Sequence, residues 1–438
     1  MAGGLVAGTA GASATNTCSD AELPSDFIYL NSGTEGSMPD CVLSAFQDGL
    51  QKWASNPTTS YESDPLYEKL QVLNRERIAS FLNVGKNNIC LTDNTTMGLS
   101  MTLMGLNFSR NDKVITTDHE HMAIRSPLRV LKERVGIEIK TRSFPSTSAL
   151  RNMTATELMD TLFPDDSELR GAKALCVSHV YPTTGVRLPL RALRHKADQL
   201  NIRYLIVDGA QAFGMLDLTT PEEDIRHCDF YACPGHKWLN GPPSTGVLYI
   251  KNENIQPPEF YPTISQCMGN YTSYDSADDV PIPMAEALQV RGNSNTPGFA
   301  AMVEAIDFAK SAGGALTIEN HILRLSSKFK ESILAKAPNS IVSPHTDSAL
   351  SSGLTVFFPF RWDSPQTTFS DKKTADWVVA ELLKQNIQIR SIGFLDPVLN
   401  TAERVEVRAL RVSTAHFNTD RHLELLAEAL RDVLMQIG

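Results

Sequence analysis

Basic residues are in deficit: 40 Lys and Arg stand against 50 Asp and Glu, a formal net charge of −10 over 438 residues. A nucleic-acid binder normally carries a basic face, so that class is set aside. Long hydrophobic runs are also missing, and no stretch reaches the roughly 18 to 20 apolar residues of a membrane-spanning helix. Cysteine is sparse. Cys18, Cys41, Cys90, Cys176, Cys228, Cys233 and Cys267 include no C-x-x-C pair, which argues against a zinc site, a redox dithiol or a disulfide scaffold. One bridge stays open if the chain is exported. There is no internal repeat and no block of like charge. No G-x-G-x-x-G sits between a strand and a helix either, which weighs against a nicotinamide-dependent dehydrogenase.

What is present is an ordinary globular composition, 42% hydrophobic and 21% charged, in a chain long enough for two packed domains. Met1 to Ala14 are small and apolar and end in Ala12-Ser13-Ala14, like the apolar region and cleavage site of a secretory signal peptide, although its basic n-region is missing. The other reading of this stretch is a disordered Gly/Ala-rich N-terminus of a cytoplasmic protein. Residues 1–26 are therefore expected to be signal-like or disordered. From residue 27 to about 300, short apolar runs at 89–92, 113–117, 137–144, 174–180, 203–207, 229–233 and 246–250 alternate with helical patterns. Early helices run from Pro39 to Trp53 and from Pro65 to Leu82, the second with a stripe of Leu66, Leu70, Leu73, Ile78 and Phe81. Buried βα alternation of this kind predicts an α/β large domain with a mainly parallel, seven-stranded sheet. Residues 301–438 read as a smaller α+β domain, with strands near 353–360, 387–393 and 405–413 and a final amphipathic helix over 418–435.

Two segments bear the chemistry. Tyr204-Leu205-Ile206-Val207-Asp208-Gly209-Ala210-Gln211 ends a buried strand with a carboxylate, where open α/β sheets bind ligands. Ala232-Cys233-Pro234-Gly235-His236-Lys237-Trp238 places a lysine just past another strand. Taken alone, Asp208 reads as a cap or turn residue and Lys237 as a solvated lysine. Together they match what pyridoxal-5′-phosphate (PLP) chemistry needs. That chemistry uses a desolvated amine to form a Schiff base and a carboxylate to keep the pyridine nitrogen protonated. Asn94-Thr95-Thr96-Met97-Gly98 sits at a strand-to-helix turn, where N–H groups and hydroxyls face an anion. The bare alternative there is an N-cap.

V-D-G-A-Q followed by G-H-K-W-L resembles the class V aminotransferases, a family of fold type I PLP-dependent transferases, and the resemblance covers most of residues 27–436. It implies Lys237 as the Schiff-base lysine, Asp208 as the pyridine partner, Gln211 near the ring's phenolic oxygen, and His236, Thr95 and Thr96 at the phosphate. His121, in Asp118-His119-Glu120-His121, matches the family's ring-stacking histidine. An H-x-H metal site at His119 and His121 has no third ligand in view, and no metal is expected. Tyr181 occupies a place where relatives carry an asparagine near the ring. Ser294, in Arg291-Gly292-Asn293-Ser294-Asn295, matches the segment that reaches the neighbouring subunit's phosphate, which implies a homodimer. Arg411, with Asn31, is the expected holder of the substrate's α-carboxylate, a task that suits the planar guanidinium fork.

Two departures refine the resemblance. Pro234 stands where the family usually has a hydroxyl or amide side chain that contacts phosphate. No cysteine follows Cys267, whereas cysteine desulfurases use a late cysteine as nucleophile, so desulfurase activity is not expected. The segment Gly235 to Pro242 looks like the isopenicillin-N-epimerase-like branch, which holds β-lyases of cysteine conjugates, racemase-like members and oxidative decarboxylating members. Exported members of that branch modify the glutamyl side chain of pyoverdine siderophores in the periplasm. With the signal-like N-terminus, these set the expected substrate (a siderophore glutamyl group) and location. Cysteine-conjugate β-lyase, amino-acid epimerase and a non-catalytic PLP-fold binding protein are the alternatives.

Overall fold

The computed structural model describes residues 18–19, 23–24, 26–57, 74–265, 282–289, 291–292, 294–398 and 403–437. Leu66, Leu70, Leu73 and Cys267, named above, lie outside the described residues.

The strands are β1 (Ile28–Tyr29), β2 (Ile89–Thr92), β3 (Lys113–Thr117), β4 (Glu138–Arg142), β5 (Ala174–Ser178), β6 (Tyr204–Asp208), β7 (Phe230–Pro234) and β8 (Gly246–Ile250). In the C-terminal part they are β9 (Leu354–Phe357), β10 (Phe360–Arg361), β11 (Ser364–Thr368), β12 (Ile387–Gln388), β13 (Arg390–Pro397) and β14 (Arg404–Ser413). Seven of them form one sheet in the order β2-β8-β7-β6-β5-β3-β4. The β4-β3, β3-β5, β5-β6 and β6-β7 pairs are parallel, while β8 runs antiparallel to both β7 and β2.

The sheet forms because its central strands are apolar on both faces. Every residue of β5, β6 and β7 is buried, and each fully buried Leu, Ile or Val side chain contributes about 1.5–3 kcal/mol. Polar residues appear only where these strands stop, at Ser178 and Asp208, beside the loop that carries Lys237. The helix Thr95–Gly105 starts directly after β2, with the Asn94 side chain accepting the Met97 N–H at 2.9 Å. The helix Met122–Arg134 is capped by His121, whose Nδ1 accepts the Ala123 N–H at 3.2 Å.

In the C-terminal part, β13-β14-β9 form an antiparallel sheet packed against the helix Lys372–Leu383, which in turn packs against Asp420–Leu434. The 387–393 run expected as one strand divides at Ile389 into β12 and β13. The hairpin strand β11 had no apolar signal, because Ser-Pro-Gln-Thr-Thr is a polar edge with none of its residues buried.

The N-terminal segment crosses to this sheet. β1 pairs in parallel with β12, Ser413 N–H donates to Leu30 O at 2.9 Å, and Asn31 bridges Ser413. Thus residues 31–36 run past the C-terminal ends of the large sheet with the end of β14 alongside. Gly36 is required there: a Cβ would lie 1.9 Å from the Lys237 carbonyl oxygen. Its N–H donates to His236 O at 2.7 Å.

Candidate active site

A cavity of about 350 Å³ opens at the carboxyl ends of β5, β6 and β7. A larger, more open depression of about 800 Å³ lies elsewhere, beside Cys18 and Cys41, and holds none of the expected cofactor- or substrate-binding residues. The smaller cavity is therefore the candidate site. Its wall includes Lys237, Asp208, His121, Thr95, Thr96, Gln211, His236 and Arg411, so the fold brings together eight of the residues singled out from sequence.

Lys237 lines the cavity and is half-buried. Burial lowers its pKa, and the nearby Asp208 carboxylate works the other way. Asp208 is buried and its pKa is raised by desolvation, while the Ala210 N–H, 2.8 Å from its Oδ1, and Lys237 favour the charged form. Gln211 is locked at both ends: its Nε2 donates to Gly33 O at 2.8 Å and its Oε1 accepts from Trp238 Nε1 at 2.9 Å. Among the described residues, the buried Thr95 Oγ1 and His236 Nδ1 have no hydrogen-bond partner. Both belong to residues that line the cavity, one of them at the first turn of an 11-residue helix, and this donor set fits a phosphate group.

Arg411 is 3% exposed, and burial lowers its pKa to about 10, with the neighbouring Arg390 charge acting in the same direction. Its Nη2 donates to Thr34 Oγ1 at 2.7 Å and lies 3.4 Å from Asn31 Oδ1, while Nε has no partner. Asn31 is not part of the cavity wall. It also accepts from Thr34 Oγ1 at 2.8 Å and so orients the hydroxyl that Arg411 uses.

Two other expected residues lie outside the wall. Tyr181 is fully buried behind it, because its phenol needs an interior partner and finds one in Glu120, donating to Oε1 at 2.9 Å. Ser294 lies just ahead of the helix Thr296–Ser311, away from this chain's cavity. His119 and His121 face different ways. His119 stacks on Phe144 at 4.5 Å with Nε2 2.9 Å from Leu395 O, whereas His121 lines the cavity.

Sequence reasoning passed over Glu120, Thr34 and Arg390. Glu120 accepts hydrogen bonds from Ser178 Oγ (2.6 Å), Thr117 Oγ1 (2.7 Å) and Tyr181 Oη (2.9 Å). Its burial raises its pKa to about 7 against the opposing effect of those donors. Its position inside the His119–His121 motif was the one available signal. Arg390 and Thr34 line the cavity, but only the pairing of distant strands shows it.

A mostly parallel sheet with a lysine, an aspartate and an anion cradle at its carboxyl edge defines a fold type I PLP enzyme. The chain belongs to the aminotransferase class-V family, whose model matches residues 28–426, and its cofactor is PLP. It is 23% identical over 413 residues to the isopenicillin N epimerase of Streptomyces clavuligerus, covering 92% of this chain and 94% of that protein. It is 26% identical over 321 residues to a probable cysteine desulfurase of Methanothermobacter thermautotrophicus, 72% and 74% of the two chains. Among solved structures, the apo cysteine desulfurase from Thermococcus onnurineus NA1 superposes with a TM-score of 0.73 at 21% identity, over 95% of this chain and 96% of that one. A cystine C-S lyase in complex with its product cysteine persulfide gives 0.72 at 24%, over 93% and 98%. These matches overturn the expectation, drawn from the missing late cysteine, that desulfurase activity is out of place here. The expectation rested on one residue: a Cβ–S bond can be cleaved by elimination, with the sulfur leaving on the product, so a missing late cysteine does not exclude C–S chemistry and bears only on which group accepts the sulfur.

Proposed function

We propose that this chain is a PLP-dependent enzyme that acts at Cα of an α-amino acid group, with Lys237 as the cofactor's covalent attachment and proton carrier. The observation that carries this reading is the convergence of Lys237, Asp208 and Arg411 on one cavity beside the unpartnered Thr95 and His236 donors. Bound PLP supplies an electron sink that takes up the electron pair left when a bond at Cα breaks. Asp208 holds the pyridine nitrogen's proton by opposing it with a buried negative charge. Thr95, Thr96 and His236 would hold the phosphate, and His121, its ring fixed by the Ala123 N–H, would lie beside the cofactor ring. Arg411 binds the α-carboxylate and so fixes which Cα bond lies in the reactive direction. Lys237, whose pKa burial lowers, takes and returns the Cα proton at Nζ.

Within this class, the substrate we favour is the glutamyl group of a pyoverdine-type siderophore, processed in the periplasm by a homodimer. The signal-like N-terminus supports this, as does the disulfide between Cys18 and Cys41, a bond that persists in oxidising compartments. Epimerisation and C–S cleavage form the second reading, favoured by the isopenicillin N epimerase and cysteine desulfurase relatives. The test is to load the enzyme with PLP and supply three substrates: a siderophore precursor with a free glutamyl α-amine, L-cystine and an L-aminoadipoyl peptide. Products are read by mass spectrometry and chiral chromatography. Turnover of the precursor alone supports the siderophore reading, and turnover of either other substrate alone replaces it. A protein that binds no PLP overturns the class.

A further inference from the structure

We infer that Arg390 is a second anion subsite at the cavity mouth, so that the site takes an amino acid with two carboxylates joined by a short apolar spacer, which favours a free dicarboxylic amino acid over an amide-linked glutamyl group. This rests on the reading of Arg411 as the α-carboxylate's holder. Arg390 and Arg411 are direct cross-strand partners in the β13–β14 register, and both side chains reach the cavity. Arg390 Nη1 donates to Thr34 Oγ1 at 3.3 Å and Arg411 Nη2 to the same oxygen at 2.7 Å, so two guanidinium groups meet on one hydroxyl. Like charges directly opposite each other on a sheet are destabilising, and a fold that keeps such a pair normally neutralises it. Other arginines of this hairpin have carboxylate partners: Arg404 pairs with Asp118 at 2.8 Å, and Arg408 faces Asp376 at 3.5 Å. Arg390 and Arg411 have no carboxylate partner among the described residues, and Glu35, which bears on Lys237 from the loop side, is exposed.

Depth divides the work between the two. Arg411 is buried near Lys237, whereas Arg390 is exposed at the rim. Ile392, two residues along the same face of β13, also lines the cavity and gives methylene groups an apolar surface. An amino acid with a terminal carboxylate would place its α-carboxylate inside, its methylenes along Ile392 and its distal carboxylate on Arg390.

Calorimetry on the PLP-loaded enzyme tests this with glutarate and pentanoate, which differ by one carboxylate and lack the amine needed for reaction. Wild type should bind glutarate about three- to five-fold more tightly, the scale of an ion pair at an exposed arginine. Arg390→Gln should abolish that preference while leaving pentanoate binding unchanged. Equal weakening of both ligands would mean that the two arginines share one carboxylate, and would overturn the inference. So would a wild type with no preference for glutarate, or with no measurable affinity for it. Arg411→Gln separates the underlying reading: if pentanoate binding survives that change, the assignment of Arg411 fails, whatever Arg390 does. Because Arg390 is exposed, its variant should keep the wild-type circular dichroism.

Discussion

Lys330 lies on the helix Ala315–Lys336 with 1% of its surface exposed, donating to Ser351 Oγ at 2.7 Å and Ser352 O at 3.1 Å. Burial, with a smaller push from Arg187, lowers its pKa from 10.5 to about 7. The unfolded chain therefore binds a proton more readily than the folded one between those values, and stability falls as pH drops from about 10.5 to 7. Below about 7 the whole penalty is present, on the order of 5 kcal/mol at ~1.4 kcal/mol per pKa unit. Lys330→Met removes the charge while keeping the length of the side chain. It also gives up two hydrogen bonds worth about 1 kcal/mol each, so a net gain of a few kcal/mol is expected at pH 6.5. Urea unfolding followed by tryptophan fluorescence measures it. The variant's advantage should be constant below pH 7 and shrink as pH rises toward 10. A variant less stable than wild type at pH 6.5, or an advantage that ignores pH, would refute the reasoning.

Lys237→Ala should remove the visible absorption of the PLP-loaded protein and its loss on borohydride reduction, with the fold retained by circular dichroism. Gly36→Ala forces a side chain into the Lys237 carbonyl oxygen, and fluorescence titration should show PLP affinity falling at least about ten-fold as that loop shifts. Glu120→Ala leaves the Ser178, Thr117 and Tyr181 hydroxyls without their acceptor and should cost about 3 kcal/mol in urea, whereas Glu120→Gln should recover most of it. The Glu120 pKa, raised from 4.5 to about 7, makes stability fall as pH rises through that window, and the Gln variant should lose that trend. Replacing Cys18 and Cys41 by serine should lower stability of the oxidised protein by about 3 kcal/mol and leave the reduced protein unchanged.

Much of the large sheet was legible because its strands are apolar on both faces. β2, β3 and β8 fall on the residues expected, and β5, β6 and β7 differ only at their ends. Asp208 and Lys237 were legible for a related reason, since one ends such a run and the other lies in the short loop after one. What stayed hidden depends on chain segments far apart in sequence. Thr34 and Arg390 acquire their places only when β1 pairs with β12 and β13 with β14, and no local pattern records that register. The Tyr181 phenol was expected near the ring, but its direction is set by Glu120, 61 residues earlier.

The contact between Arg411 and Asn31 spans 380 residues, and the same short loop also holds Gln211 through Gly33 and the Lys237 loop through Gly36. Synthesis therefore delivers the two halves of the carboxylate grip at opposite ends of its time course. The sheet and its lysine can be in place while Thr34 still waits for its arginine. Contacts of this separation are the slow ones in folding, so the substrate grip completes last. A chain stopped short of β14 should retain the lysine for the cofactor but have no purchase on an amino acid, a difference that PLP absorbance and carboxylate binding would separate in truncated chains.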